Sequence, residues 1–363
     1  MFTGIDSVSR AVRWPLTFPR SALTTDTSLR AHALPSSAKV DLALNAIRGT
    51  TTRDALEPTA PGTFTEYTYV AGGANRPYKL YVPAQLSAQP RPLLMMLHGC
   101  KQTPDDFAAG TRMNELADLH GFLVAYPAQT SASNTACCWN WFKPLEQTRE
   151  GVEPSQLAGI VGAIAETHDV DMTSVFVAGL SAGAAMAVIL GETYPDIFAA
   201  VGAHSGLPIG AANSQLSAFV AMKVGNPLRT QLSKGLAQIT GSSGTGDGVP
   251  TIVFHGDSDA TVTASNGEAI VQGALHSFSD GEGALQREAE SPTDSTIPIS
   301  HDSTTTRYVD DAVHSRIESW AVHGGTHAWF AGSSTGSYTD PEGPDATAEM
   351  VRFFLGQQAR LDH

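Results

Sequence analysis

Cysteine is scarce: Cys100, Cys137 and Cys138 are the only three in 363 residues. So few cannot build a disulfide scaffold, and their spacing is not the paired C-x-x-C of a zinc site. Three buried thiols are the plain expectation; one bridge, from Cys100 to either Cys137 or Cys138, stays open, and the lack of a secretory signal weighs against it. Positive charge is also short, with 22 Lys and Arg against 36 Asp and Glu and a formal net charge of −14. An acidic surface repels phosphate backbones and anionic membranes, so neither nucleic acid nor membrane is the expected partner, and neutral small molecules or polymers are. No apolar run reaches the length of a membrane span, and no internal repeat or heptad stands out. The first sixty residues scatter Arg10, Arg13, Arg20 and Arg30 among Ser, Thr and Pro, without the apolar stretch and small-residue cleavage site of a signal peptide. The expectation is a cytoplasmic chain, or a secreted one if a signal has already been removed.

What is present is apolar material: 42% of residues are hydrophobic and 16% charged, enough for a large buried sheet. Residues 1–61 read as a peripheral arm with one short helix near Lys39–Arg48, and residues 62–363 as one catalytic domain. Alternation at Phe64, Tyr67, Tyr69 and then Tyr78, Leu80, Val82 predicts two strands joined by a glycine turn. Pro92–His98 reads as a strand buried on both faces, Asp105–His120 as a helix, Gly121–Pro127 as a strand and Gln156–Thr167 as a helix. Further strands are expected at Ser174–Ala178, Ala199–Ala203, Thr251–Phe254 and Arg316–Val322, with a closing helix at Asp345–Gln357. Residues 205–248 read as an excursion or small cap, and the polar stretch Ser279–Asp311 as a surface loop or hairpin. Strands alternating with helices make this an α/β chain: a mostly parallel sheet with helices on both faces, whose ligands gather at the carboxyl ends of strands.

The chemistry-bearing residues sit at those ends. Gly179-Leu180-Ser181-Ala182-Gly183 follows a strand and precedes the helix-like run Ala184–Glu192, which is a G-x-S-x-G nucleophile elbow in its proper context. A serine hydroxyl is a poor nucleophile, so it needs a base within reach and a carboxylate to orient that base. Asp257 and Asp259 follow one later strand and His327 follows another, giving the order Ser, Asp, His expected of an α/β-hydrolase. Asp259 is preferred, because Asp257 directly follows His255-Gly256 and suits a turn residue bonded to loop backbone. Two backbone donors are needed for the oxyanion: the amide of Ala182, directly after the serine, and that of Cys100, in the turn His98-Gly99-Cys100-Lys101. His98, His204, His255, His323 and His327 all fall near strand ends, yet no H-x-H or H-E-x-x-H pairing occurs, and neither a metal nor an organic cofactor is expected. Trp139, Trp141 and Trp329 are candidates for an apolar wall around an acyl or aryl group, if they are exposed beside Ser181; otherwise they anchor loops.

With these residues in view, the chain from about Gly62 to Gln357 resembles the polyhydroxybutyrate depolymerase family of esterases, which is related to the feruloyl and acetylxylan esterases. The resemblance rests on Leu97-His98-Gly99-Cys100, Cys138-Trp139-Asn140-Trp141-Phe142, the elbow, Ser205-Gly206-Leu207-Pro208, His255-Gly256-Asp257-Ser258-Asp259 and Thr326-His327-Ala328-Trp329. It implies an α/β-hydrolase fold with Ser181 as nucleophile, His327 as base, Asp259 as its partner and an oxyanion hole of the Cys100 and Ala182 amides. It also implies a Cys100–Cys138 bridge that fixes the oxyanion loop and a substrate-facing Trp329. The sequence departs from the pattern at Lys101, where glycine is frequent, and at Phe330, where proline is frequent. The expected activity is hydrolysis of short-chain hydroxyalkanoate esters, polymeric or oligomeric. The alternatives are a feruloyl or acetyl esterase acting on plant polysaccharides and, in another class, a non-catalytic binding protein on the same scaffold.

Overall fold

The computed structural model describes residues 62–361 apart from 72–73, 85–86, 88, 226–247, 280–284 and 290–300. The arm expected over 1–61, its helix and most of the stretch 226–248 lie outside the described residues.

The strands are β1 (Thr63–Ala71), β2 (Ala74–Val82), β3 (Arg91–Leu97), β4 (Leu123–Pro127), β5 (Val170–Leu180), β6 (Ala200–His204), β7 (Thr251–Gly256), β8 (Gln286–Ala289), β9 (Ser303–Val309) and β10 (Ser315–Val322). They form one ten-stranded sheet in the order β1-β2-β4-β3-β5-β6-β7-β10-β9-β8. From β4 to β10 every neighbouring pair is parallel, while β1 and β2 at one edge and β8 and β9 at the other pair antiparallel. A two-stranded parallel pair, β11 (Trp329–Phe330) and β12 (Thr339–Asp340), stands apart from it.

The helices are α1 (Pro104–Thr111), α2 (Met113–His120), α3 (Val152–Ala165), α4 (Ala182–Thr193), α5 (Gln215–Val224), α6 (Ser265–Ser279) and α7 (Ala346–Leu361). Because side chains alternate along a strand, β3 and β5 feed two cores. Leu93, Met95, Leu97, Val175 and Val177 join Leu157, Ile160, Met186, Ile189 and Ile270 from α3, α4 and α6 on one face. Leu94, Met96, Phe176 and Ala178 join Phe107, Met113, Met350 and Phe354 from α1, α2 and α7 on the other. Phe176 and Phe354 stack there with centroids 5.1 Å apart. Helix α4 is buried all round from Ala182 to Gly191, as its sequence of Ala, Met, Val, Ile and Leu requires of a helix wedged in the core.

Three local differences from the sequence expectation have physical causes. The single helix expected over Asp105–His120 is two, because Arg112 turns left-handed at φ 56° and caps α1 through its N–H to the Ala108 carbonyl. The break lets both Phe107 and Met113 reach the core. Helix α3 starts four residues earlier than expected, since Pro154 is tolerated in a first turn where N–H groups have no intrahelical acceptor. Helix α6 carries Gly and Ser that masked its period, so the sequence reading passed over it. The polar stretch 279–311 does supply a hairpin-type pair, β8 and β9, and residues 205–225 of the excursion contain α5, opened by a Ser214 capping box.

Candidate active site

Ser181 directly follows β5 and caps α4 with φ 57° and ψ −116°, a conformation that an L-residue holds only when its surroundings enforce it. The enforcement is visible in the glycines. A Cβ on Gly183 would lie 2.0 Å from the Leu97 carbonyl oxygen, and one on Gly179 would lie 2.5 Å from the Gly183 carbonyl carbon. Only glycine lets the elbow press against the end of β3, where the Cys100 loop begins. The Ser181 N–H donates to the His204 carbonyl at 2.9 Å, tying the elbow to the end of β6. Ala182 opens α4, so its amide is among those left without an intrahelical acceptor.

His327, half-buried, follows β10, and its Nδ1 lies 2.7 Å from Asp259 Oδ2 in the loop after β7. Asp259 is buried, and its Oδ1 accepts the backbone N–H groups of Thr261 and Val262, each at 2.8 Å. Burial alone would push this carboxyl up. Hydrogen bonds from His255 and His327 outweigh it and hold the carboxyl well below the usual range. The two loops are held together by backbone: the Asp257 N–H donates to the Val322 carbonyl at 3.0 Å and the Ser258 N–H to the Gly325 carbonyl at 3.1 Å. Asp257 itself is exposed and accepts the Gly324 N–H at 2.8 Å and His323 Nδ1 at 3.0 Å.

His204 and His98 are buried inside the protein. His204 is fully buried, with its ring stacked on Trp329 at 4.9 Å, and its Nε2 accepts the Phe330 N–H at 3.3 Å. Burial pushes its imidazole well down, helped by the neighbouring His255 and His327. A proline at position 330 could not make that bond. Burial likewise pushes His98 down to about 4. Among the described residues one group with metal-ligating chemistry occurs, His301, Asp340 and Glu342, with ligand atoms within 4.8 Å of one another; it contains none of Ser181, Asp259 and His327.

Cys100 and Cys138 form a disulfide and Cys137 is free, which resolves the choice the residues alone left open. Lys101 next to it sits at φ 67°, the left-handed region that glycine enters most easily, and this accounts for the glycine preference at that position.

The tryptophans require a correction. Trp139 and Trp329 are 0% exposed and Trp141 is 5% exposed, so none forms a wall open to a substrate. Trp139 Nε1 donates to the His98 carbonyl at 3.0 Å, and Trp329 Nε1 donates to Thr347 Oγ1 at 2.9 Å while its ring meets Phe107 edge-on. The Trp139 and Trp329 rings thus bury their apolar area and satisfy their single N–H inside the protein, which makes each an anchor for a loop. The sequence reading also passed over Gln129 and Glu153, and quoted Asn140 without a role; all three are polar side chains buried behind the Cys100 loop. A glutamate near the start of a largely apolar helix was the one available signal.

A mostly parallel sheet with an elbow serine at the end of β5, and with Asp259 and His327 on the loops after β7 and β10, defines an α/β-hydrolase. Comparison agrees: the acetyl xylan esterase from Aspergillus awamori shares this fold, with a TM-score of 0.64 and 19% identity over 81% of this chain and 100% of that one. Residues 76–294 match the family described as esterase PHB depolymerase, and the chain belongs to that family. It is 37% identical over 193 residues to poly(3-hydroxyalkanoate) depolymerase C of Paucimonas lemoignei, which is 53% of this chain and 46% of that protein. It is 29% identical over 289 residues to poly(3-hydroxybutyrate) depolymerase of Ralstonia pickettii, 72% of this chain and 53% of that protein. A probable acetylxylan esterase A of Aspergillus fumigatus is 30% identical over 193 residues, 52% of this chain and 51% of that protein. The chain thus spans about half the length of these curated relatives.

Proposed function

We propose that the chain is a serine carboxylesterase that hydrolyses short-chain hydroxyalkanoate esters, polymeric or oligomeric, through an acyl-enzyme. The observation that carries the reading is the 2.7 Å contact between His327 Nδ1 and Asp259 Oδ2, on loops at the same carboxyl edge of the parallel strands as the strained elbow serine. In this reading Asp259 accepts a hydrogen bond from the Nδ1–H of His327, which keeps the proton on Nδ1 and leaves Nε2 as the base. Ser181 Oγ bonds to the ester carbonyl carbon as its proton passes to Nε2, and the amides of Cys100 and Ala182 receive the oxyanion. The C–O bond then breaks, the leaving alcohol takes the proton from Nε2, and water repeats the sequence to release the acid. This chemistry calls on no metal or organic cofactor. Depolymerases among the relatives support the hydroxyalkanoate substrate. A second reading, an acetyl or feruloyl esterase, is supported by the acetylxylan esterases and a feruloyl esterase B of Neurospora crassa among them.

The test is hydrolysis of a para-nitrophenyl series from acetate to palmitate, with hydroxybutyrate trimer and methyl ferulate, by wild type and Ser181→Ala. Turnover of short chains and trimer, lost in Ser181→Ala, is expected. Turnover of ferulate alone would move the chain to the second reading. No turnover together with no labelling by a phosphonate would favour a non-catalytic binding protein.

A further inference from the structure

Behind the Cys100 loop runs a buried polar chain that the proposed chemistry does not use. Glu153, in the first turn of α3, is 2% exposed. Its Oε2 accepts the Asn140 backbone N–H at 2.7 Å, and its Oε1 accepts Asn140 Nδ2 and Gln129 Nε2, each at 2.5 Å. Gln129 Nε2 also donates to the Cys138 carbonyl at 3.1 Å, while the Gln129 backbone N–H donates to His98 Nε2 at 3.1 Å. Since Nε2 of His98 is an acceptor, its proton sits on Nδ1, which donates to the Gly99 carbonyl at 2.7 Å. That carbonyl and the Cys100 N–H are two ends of one planar trans peptide, so holding the oxygen sets where the N–H points.

A second arm reaches the same loop. Asn140 follows Cys138 and Trp139, of which the first is bonded to Cys100 and the second donates to the His98 carbonyl. Arg76 closes the network, donating from Nε to Gln156 Oε1 at 3.0 Å and from Nη1 to the Ala128 carbonyl and Gln129 Oε1, with its guanidinium 5.4 Å from the Trp139 ring centre. A buried carboxylate is retained at a desolvation cost, which makes a role beyond filling space worth asking for.

We propose that Glu153 is a positioning residue: its carboxylate anchors Gln129 and Asn140 and, through them, orients the Gly99–Cys100 peptide so that the Cys100 N–H meets the oxyanion. The inference rests on the esterase reading above. An oxyanion donor acts as charge develops in the transition state, so a misdirected peptide lowers kcat and leaves KM in place. A general loss of packing would instead reduce the fraction of active molecules.

The experiment titrates active serine with a phosphonate. It then measures kcat per titrated serine and KM for para-nitrophenyl butyrate, and the affinity of an alkyl boronic acid whose tetrahedral adduct occupies the oxyanion site. Glu153→Gln, which turns an NH2 group toward at least one of the donors, is expected to lower kcat per serine and boronate affinity by about tenfold or more, with KM within about twofold. Gln129→Met, which keeps the length and removes the amide, should give the same signature and decides the matter if Glu153→Gln does not fold. Values of kcat and boronate affinity within about twofold of wild type, or a change in KM alone, would overturn the proposal. Wild type with neither labelling nor turnover would sink the esterase reading first, and this inference with it.

Discussion

Asp259 shows what a single carboxylate is asked to do. One oxygen is fixed by two backbone amides and the other faces His327, so the side chain has no freedom to choose another partner. In the proposed mechanism Asp259→Asn presents an amide donor to Nδ1, favours the wrong imidazole tautomer and should reduce kcat by about 10⁴. Steady-state kinetics with para-nitrophenyl butyrate checks this, and a loss of less than tenfold would remove Asp259 from the triad. The sequence placed Asp259 ahead of Asp257 on turn chemistry, and Asp257 indeed spends its carboxylate on the Gly324 amide and His323. Residue scale is also where the sequence reading failed. Trp139, Trp141 and Trp329 carry no mark that distinguishes an exposed wall from a buried anchor, because the same ring serves either.

At the scale of elements, the close approach of β3, β5 and α4 makes the elbow possible. Gly183→Ala would drive a methyl group into the Leu97 carbonyl, a backbone atom that cannot step aside. The cost expected is about 1–3 kcal/mol of stability, with a loss of turnover because the elbow must shift away from the Cys100 loop. A urea unfolding midpoint equal to wild type would contradict it. The strand-turn-helix sequence and its two glycines were legible beforehand, since each is a local demand of the backbone. The break at Arg112 and the existence of α6 were not. They depend on what neighbouring layers leave room for, and no periodicity encodes that.

Across the whole molecule, buried histidines make stability depend on pH. Burial holds His98 at about 4 in the folded protein, whereas an exposed histidine in the unfolded chain titrates near 6.5. Between these values the unfolded chain binds a proton that the folded one does not, so stability falls as pH drops from about 6.5 toward 4, by roughly 3 kcal/mol from this group. His204 acts in the same direction. The lowered carboxyl of Asp259 contributes stability that is present above about pH 4 and is lost as pH falls further. Urea midpoints measured at pH 7.5 and pH 4.5 should therefore decline, with a shallower decline in His98→Gln; a midpoint independent of pH would refute the assignment. The sequence by itself determined the alternation of strands and helices and the strand-turn-helix setting of Ser181, and it carries Ser181, Asp259 and His327 in the order the proposed mechanism uses, because these are set by local backbone demands and by connectivity. Only the tertiary structure decided that the three tryptophans face inward and that Glu153, Gln129 and His98 form one buried chain, and it shows the Cys100–Cys138 bridge that the residues alone left open and the family resemblance implied. Those outcomes depend on which groups, distant in the chain, meet in a space closed to water, where each donor must find an acceptor.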